Sequence, residues 1–522
     1  MRYGFVFAIF SLEDVFNFLN QPYIQMNSNR LISNIAGWLV FAIAAVVFAF
    51  SAEPTGSLWD CGEFILGAYK LQVVHPPGAP LFALIGRMFT WVAEIVSDDP
   101  ADIAYSVNLM SGISTAFAAA FICWVTIMLG KLTLVGREGE LNAGQAIATA
   151  GAGIVAGLGT AFASSIWFSA VEGEVYAMST FFTTLTLWSM IRWYSLPDTP
   201  QADRWLLLTV YIAGLSIGVH LLSILTFPAL ALFYYFKKYK NHTFLGMGVA
   251  AVIGVVVIGL IQKLIIVGIP ILWGQMELLM VNGLGLPFHS GLIPTLLLTL
   301  AVIAIPLLYV HDVIKSKTPL YILGGILTIY FLASFASDNS IAASGRVNRF
   351  IMAAAIFGIA GLKDSYKPLL QLGLVAATLV IIAFSTIGVV VVRANVDPPV
   401  NMNSPDDAMR LIPYLNREQY GERALLRGPD FEAQPIDTKL ESRYGRVGDR
   451  YEIVDYKISY EFAEADKMLF PRMGDYTQNR DQAYKRWMGL DPTKPLPPGR
   501  PNQVDNISFM VRYQLGWMYW RY

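Results

Sequence analysis

Long apolar windows without Asp, Glu, Lys or Arg alternate with short charged segments over the first 393 residues of the chain. The windows cover residues 31–52, 103–130, 141–171, 175–191, 205–236, 241–262, 278–310, 318–337, 350–362 and 368–392. A helix that crosses a bilayer needs about 20 mostly apolar residues, and its backbone polar groups pair within the helix itself. The pattern therefore predicts an all-α polytopic membrane bundle.

Lysine and arginine residues cluster in five of the short segments between windows. The clusters are Lys131 with Arg137, Arg192 with Arg204, Lys237 with Lys238 and Lys240, Lys315 with Lys317, and Lys363 with Lys367. Short basic loops stay on the cytoplasmic side. All five basic clusters lie on the cytoplasmic side if the N-terminus is cytoplasmic and residues 53–102 form one external loop. The window 205–236 must then be two short helices that turn near His220, which gives about eleven spans.

Residues 79–96 are also apolar enough to be considered as a span. Counting them would invert every later loop and place the basic segments outside. We therefore expect an amphipathic or re-entrant helix at the external membrane interface, with Arg87 and Trp91 as interfacial anchors.

The two ends of the chain differ from the bundle. Residues 1–25 hold an apolar run broken by Glu13 and Asp14, and we expect a non-native or disordered extension before a natural start at Met26. Residues 394–522 are charged and rich in Tyr and Pro. Their pattern is helical over 403–426 and alternating over 445–462, which predicts a soluble external α/β domain. Its aromatic end carries no closing cap, so we expect this domain to be incomplete.

The composition narrows the class of protein. Hydrophobic residues make up 55% of the chain and charged residues 14%, against about 25% charged in ordinary soluble domains. The net charge of −1 gives no electrostatic reason to expect a nucleic-acid partner. Two cysteines do not form a disulfide scaffold. A membrane enzyme, a transporter and an assembly factor remain.

The segment 51–82 holds the densest set of reactive side chains. Asp60 and Glu63 are three residues apart and would share one face of a helix. His75 begins a stretch, HPPGAP, that proline stiffens. Two carboxylates beside a histidine on a stiff loop suit a preorganised polar site. The residues alone favour an ordinary external loop with solvated acids, a helix cap and a turn.

Five motifs together resemble one family of membrane enzymes. They are WDCGEF (59–64), AYKLQVVHPPGAPLF (68–82), VEGEVYAMS (171–179), GLSIGVHLL (214–222) and LNREQYGERALL (415–426). The chain resembles, from about Met26 to its end, the bacterial branch of glycosyltransferase family 117, which includes the animal O-mannosyltransferases of plexins and related receptors. The resemblance implies the GT-C architecture, with residues 26–393 as the catalytic membrane domain and 53–102 as a loop of juxtamembrane helices.

The resemblance also implies an activity. A sugar, with mannose the expected one, would pass from a polyprenyl-phosphate carrier to a Ser or Thr hydroxyl of an exported protein, with inversion. Asp60 would be the general base, and Glu63 would orient the acceptor or tune Asp60. In a bacterial inner membrane, the active site and the domain 394–522 would be periplasmic.

The remaining candidates would bind substrate. Arg346 and Arg349, at the external end of a span, could hold the lipid phosphate, and Arg393 is a weaker candidate; snorkelling to the headgroups is the alternative. By their place in the family motifs, His75, Glu172, Glu174, Tyr176 and His220 are expected at the same cavity. Each of them could instead be an ordinary solvated or structural group.

No metal or cofactor is expected. The first loop has no Asp-x-Asp pair, and the chain has neither a Cys/His cluster nor a Gly-rich phosphate loop after a strand. The expected partners are the lipid-linked donor, the exported acceptor protein and membrane lipid. Two other functions stay open: a transporter or flippase of a lipid-linked substrate, and a structural component of an export machine.

Overall fold

The computed structural model describes residues 28–336, 340–421, 423–475 and 480–520. The expected extension over residues 1–25 lies outside the described residues. Within them, a bundle of long helices is followed by a smaller region that contains two two-stranded sheets.

The first half of the bundle begins with one long helix, a loop with two shorter helices, and a second long helix. In chain order the helices are α1 (Ser28–Ser51), α2 (Cys61–Lys70), α3 (Pro80–Val96), α4 (Pro100–Val135), α5 (Ala143–Ala161), α6 (Ser164–Ala170), α7 (Val175–Ser195), α8 (Pro200–Ile217) and α9 (Phe227–Lys238), with a 3-10 turn, Leu221–Thr226, before α9. Several of these helices begin with a polar capping residue. At the start of α5, the Asn142 and Gln145 side chains form a reciprocal capping box.

The second half continues with longer and more irregular helices. They are α10 (Phe244–Leu260), α11 (Gly268–Glu277), α12 (Leu292–Val310), α13 (Thr318–Ala333), α14 (Ser340–Ser344), α15 (Arg346–Gly361), α16 (Lys367–Phe384) and α17 (Gly388–Ala394). Single turns of π-helix (Ile261–Ile266, Leu278–Gly283) and of 3-10 helix (Ser334–Ala336, Asp364–Tyr366, Ser385–Ile387) join or extend them.

The described helices support a multi-pass membrane protein. Seven are long and apolar enough to cross a bilayer, or eight if α5 and α6, which are bent by 65°, count as one span. The seven are Asn29–Ser51, Pro100–Val135, Leu221–Lys238, Phe244–Gly283, Leu292–Val310, Thr318–Ala336 and Asp364–Ala394. The expected number was about eleven. Helices α7 and α8 carry charges such as Arg192 and Asp203, and α15 has only 16 residues.

The predicted break near His220 is confirmed. Helix α8 ends at Ile217, and the His220 side chain caps the following 3-10 turn by accepting a hydrogen bond from the Leu222 N–H at 3.2 Å. The chain then reverses into α9, so the window 205–236 is two helices.

The predicted boundary between the windows 241–262 and 278–310 is wrong. The helix continues from Phe244 to Gly283 through two π turns, and α12 begins only at Leu292. Glu277, which is fully buried, does not interrupt it because its carboxylate accepts hydrogen bonds from the backbone N–H groups of His289 and Gly291. The charged residue that marked a window edge thus closes the turn after the helix.

Helices α4 and α5 pack closely at two glycines of α5. A Cβ atom at Gly153 would lie 2.8 Å from the carbonyl oxygen of Cys123, and one at Gly157 would lie 2.7 Å from that of Ala119. Helices α4 and α5 therefore approach each other to a distance that only glycine permits at these points.

The basic loops form two groups. The Arg137 guanidinium donates to the Leu196 carbonyl at 2.6 Å, and Lys238 pairs with Asp198 at 2.5 Å, so the loops after α4, α7 and α9 meet. Lys367 pairs with Asp312 at 2.5 Å, which joins the loops after α12 and α15. These contacts agree with basic loops that share a side within each group.

The segment 79–96 is a single 17-residue helix, α3. It packs against α2 and α4, and its Trp91 side chain is 61% exposed. Arg87 pairs with Glu94 at 2.9 Å and donates to the Tyr69 carbonyl at 2.9 Å. The expected amphipathic helix is present; its position at the membrane interface stays a prediction.

The C-terminal region has mixed structure, as expected. Its elements are α18 (Ala408–Leu415), β1 (Arg427–Pro429), β2 (Pro435–Val447), β3 (Arg450–Phe462), β4 (Lys467–Leu469), α19 (Arg480–Trp487) and α20 (Gln503–Phe509), with 3-10 turns at Glu418–Tyr420 and Glu464–Asp466 and a π turn at Met510–Tyr519. The alternation over 445–462 corresponds to strand β3, which pairs with β2 in an antiparallel hairpin, and β1 pairs with β4. The helical prediction for 403–426 holds over α18 and one 3-10 turn.

Candidate active site

A cavity of about 180 Å³ lies where the first loop, the start of α7, the turn after α8 and the segment after α18 meet. Its polar lining residues are Asp60, His75, Glu174, Tyr176, His220, Arg417 and Tyr420. Five of these were predicted site residues, drawn from four separate motifs. The fold thus brings residues more than 150 positions apart in the chain to one small polar cavity.

Asp60 is held at the start of α2 by a fixed loop. The Glu53 N–H donates to the Val171 carbonyl at 2.8 Å, and the Asn108 side chain donates to the carbonyls of Glu53 and Thr55 at 2.6 and 2.9 Å. Cys61, directly after Asp60, is fully buried. These contacts fix the backbone, while the Asp60 side chain is exposed to the cavity.

Glu63 and His75 form an ion pair beside the cavity. One Glu63 oxygen accepts from the His75 backbone N–H at 2.6 Å, and the other lies 3.1 Å from His75 Nδ1. The bond to Glu63 raises the pKa of His75 against the effect of burial. Burial would raise the pKa of Glu63, but the hydrogen bonds from His75 outweigh it and lower that pKa. Glu63 does not line the cavity, and its contacts position His75.

The HPPG turn is locked by α18. The buried Tyr414 hydroxyl donates to the Val74 carbonyl at 2.5 Å. Gly78 has φ +74°, and a Cβ atom there would lie 2.7 Å from the Tyr414 oxygen. The Gly78 N–H also donates to the His75 carbonyl at 2.9 Å. Glycine is therefore required for both its conformation and its contact, and the turn holds His75 at the cavity.

Glu174 is buried at the start of α7 and accepts a hydrogen bond from the Asp60 backbone. Burial, with the nearby charges of Glu172 and Asp60, raises the pKa of Glu174 to about 6. Glu172 is buried too, but it accepts a hydrogen bond from the Ser57 hydroxyl at 2.5 Å and does not line the cavity. Glu174 is thus the member of this pair that faces the site.

His220 and Tyr176 form one wall. Their ring centroids are 5.3 Å apart with planes at 55°. Burial, followed by the positive charge of Arg417, lowers the pKa of His220. The lowered pKa favours the neutral imidazole, so His220 and Tyr176 together give the cavity a polar aromatic wall.

Arg417 is the functional candidate that sequence reasoning missed. It follows α18 in a left-handed conformation, with φ 56°, and its guanidinium lies 4.8 Å from the Tyr420 ring centroid. Among the described residues that line the cavity, it is the only Arg or Lys. It belongs to the motif LNREQYGERALL, but it lies beyond the membrane domain, where cations are ordinary, so its sequence position gave no signal of a site.

The three arginines predicted to hold a phosphate lie elsewhere. The buried Arg349 donates to the Gln275 side chain at 3.2 Å and to the Tyr330 carbonyl at 3.1 Å. Arg346 donates to the Ser334 carbonyl at 3.0 Å. Arg393 donates to the carbonyls of residues 71 and 70, at 2.7 and 3.1 Å, and so ties the last membrane helix to the first loop. None of the three lines the cavity.

A set of potential metal ligands occurs in the described residues. Asp60, Glu63 and His75 each offer one ligand atom within 4.8 Å of the others. Both Glu63 oxygens contact His75, so this pairing would compete with a cation for the same groups. That no metal is required stays a prediction.

The cavity combines two kinds of chemistry. The Asp60 carboxylate is accessible and can accept a proton. Arg417, with His75 held by Glu63, supplies positive charge and hydrogen-bond donors for an anion. A neutral hydroxyl and a phosphate ester would find complementary groups in the same small space.

Residues 60–243 match the family described as the protein O-mannosyl-transferase TMEM260 N-terminal domain. The protein O-mannosyl-transferase tmem260 of Dictyostelium discoideum is 25% identical over 157 residues, which are 30% of this chain and 17% of that protein. The Mus musculus protein O-mannosyl-transferase TMEM260 is 26% identical over 178 residues, 34% of this chain and 22% of that protein.

The matched part therefore spans about a fifth of these relatives. Residues 421–511 match a family of unknown function, DUF8416. No solved structure matches the chain. The family match to residues 60–243 covers three of the four segments that form the cavity, and the comparisons support an O-mannosyltransferase-like family for this part of the chain.

Proposed function

We propose that this protein is a membrane glycosyltransferase that moves mannose from a polyprenyl-phosphate carrier to Ser or Thr hydroxyls of exported proteins. The observation that carries the proposal is the cavity itself: Asp60 and Glu174 face Arg417 and His220 across about 180 Å³. The likeness of residues 60–243 to protein O-mannosyl-transferases supports the choice of sugar and acceptor.

The reaction is a single displacement that inverts the anomeric centre. The acceptor hydroxyl oxygen forms a bond to the anomeric carbon as the bond from that carbon to the phosphate oxygen breaks. The bonding pair leaves with the polyprenyl phosphate, and the hydroxyl proton moves to the Asp60 carboxylate. A hydroxyl is a weak nucleophile, so a base placed next to it contributes typically 10²–10⁴-fold.

The leaving phosphate needs positive charge that is in place before the bond breaks. Arg417 is the cavity's guanidinium, and a guanidinium can bind two phosphate oxygens at once. His75 is the second donor, because its raised pKa extends the imidazolium form to higher pH. This assignment replaces Arg346, Arg349 and Arg393 as the phosphate-binding groups.

The placement in the membrane follows from the basic loops. With those loops cytoplasmic, the eleven predicted spans put the cavity and residues 394–522 on the opposite, periplasmic face of a bacterial inner membrane. A lipid-linked donor and an exported acceptor would both reach the site there. The arrangement would be of the GT-C type.

The test is transfer by the purified full chain. Radiolabelled polyprenyl-phosphate mannose and a Ser/Thr-containing peptide are incubated with the protein in detergent, with and without EDTA. We expect labelled peptide whose sugar is released by alkaline elimination, equally in both arms. A protein that moves the labelled lipid across liposome membranes without labelling peptide would instead be a flippase. Absence of both activities would favour a structural component of an export machine.

A further inference from the structure

The hairpin β2–β3 is locked to the membrane bundle at its turn. Tyr451 is buried, and its backbone N–H and carbonyl both pair with the Asn282 side chain, at 2.9 and 2.8 Å. Its hydroxyl lies 3.3 Å from a carboxylate oxygen of Glu277 and 3.3 Å from one of Asp407. Buried polar groups that satisfy one another in this way hold a single arrangement.

The same hairpin also fixes the start of α18. Arg446 pairs with Asp407 at 3.0 Å and with Asp406 at 3.3 Å. Asp407 is 2% exposed and caps α18 by accepting a hydrogen bond from the Arg410 N–H at 3.0 Å. Helix α18 then carries Tyr414, which bonds to the HPPG turn. Helix α18 therefore connects the hairpin to the HPPG turn that lines the cavity.

A third contact lies next to the cavity. Glu418 directly follows Arg417, and its carboxylate pairs with Arg443 of β2 at 2.7 Å and with Lys457 of β3 at 3.7 Å. Arg417 has a left-handed backbone conformation, with φ 56°, which is strained for a residue with a Cβ atom. The strained residue is thus held on both sides by groups that the hairpin contacts.

We propose that hairpin β2–β3 is part of the active-site structure and that Arg446, Arg443 and Tyr451 are positioning residues that hold Arg417 in the cavity. The role given to Arg417 rests on the proposed function. The placement of Arg417 by the hairpin does not, because it follows from the contacts alone. The hairpin lies in the region of the chain that matches a family of unknown function.

The kinetic test uses Arg446→Ala in the full chain. A displaced Arg417 binds the donor phosphate poorly, so the KM for polyprenyl-phosphate mannose should rise roughly tenfold while the KM for the peptide stays unchanged. In the Arg417→Ala variant, adding Arg446→Ala should not change the donor KM further, because the guanidinium that Arg446 is proposed to position is already absent. Lys439→Ala is the matched control, because among the described residues the Lys439 ammonium pairs with Glu461 of the same hairpin, at 3.3 Å.

A second measurement does not depend on transfer. Limited trypsin digestion, followed by mass spectrometry, measures cleavage after Arg417. Cleavage should be several-fold faster in Arg446→Ala and in the conservative variant Tyr451→Phe than in the native chain or Lys439→Ala.

Unchanged cleavage and unchanged donor KM in Arg446→Ala would overturn the inference, as would losses that add to those of Arg417→Ala. A native chain that fails to transfer mannose would instead reject the proposed function. The cleavage rates would still decide whether the hairpin positions Arg417.

Discussion

Removing the cavity's guanidinium tests the assignment of the phosphate site. A hydrogen bond to a charged group contributes about 1.5–3 kcal/mol, and each 1.36 kcal/mol changes a rate tenfold. Arg417→Ala should therefore lower kcat/KM for the polyprenyl-phosphate donor about 10- to 150-fold. Arg417 is exposed and its guanidinium contacts the Tyr420 ring, so the variant should fold and insert normally.

The assay is steady-state transfer with the donor varied at saturating peptide. Arg417→Lys keeps the charge but loses the bidentate geometry, so its kcat/KM should fall between native and Ala. Arg410→Ala is the matched control: this exposed arginine lies on α18 and pairs with Asp406 at 3.5 Å, away from the cavity. A donor kcat/KM within twofold of native for Arg417→Ala would refute the assignment.

Three further outcomes are expected. Glu63→Gln removes the charge that raises the pKa of His75, so the basic limb of the pH profile of kcat/KM should move to lower pH; an unmoved limb would exclude His75 as a cationic donor. Glu174 loses its charge below about pH 6, which weakens its hydrogen bond to the Asp60 backbone. The pH profile of kcat/KM should therefore have an acid limb near pH 6 that disappears in Glu174→Gln. Persistence of the limb in that variant would assign it to another group. Tyr414→Phe leaves the Val74 carbonyl without its partner at a cost of about 1–3 kcal/mol, which a lower midpoint of thermal denaturation in detergent would reveal.

Much of the bundle could be predicted because a helix that spans a membrane needs a long apolar stretch, and such stretches are visible in the sequence. Charge-free windows located the helices, and the basic loops required a break near His220 that the structure contains. Alternation over 445–462 predicted strand structure, which β3 contains, whereas its partner β2 lies mostly before this range and was not predicted. These signals are local, so they can be interpreted from the sequence without knowledge of tertiary contacts.

The errors come from interactions between distant residues. Glu277 was read as the edge of a span, but it lies within the helix Phe244–Gly283 and accepts hydrogen bonds from the backbone N–H groups of His289 and Gly291 in the following turn. Arg346 and Arg349 looked like anion-binding groups, but carbonyl and amide oxygens of neighbouring helices pair with them. Whether a charge is paired depends on residues that no local pattern shows.

Some residues of the candidate site could be predicted from the sequence. The motifs around Asp60, Glu174 and His220 pointed to residues that line one cavity. Arg417 was not assigned, since it enters the cavity only because α18 folds back onto the HPPG turn. Glu63 was expected to act on the acceptor or on Asp60, whereas its two oxygens contact His75.

The general base is the central claim, and Asp60→Asn tests it most directly. Asn keeps the size of the side chain but cannot take the acceptor proton. Mannose transfer to the peptide should fall at least about 10²-fold, with unchanged expression, insertion and donor binding, while Asp98→Asn, an exposed acid of the same loop, should retain native activity. Near-native transfer by Asp60→Asn would contradict the account.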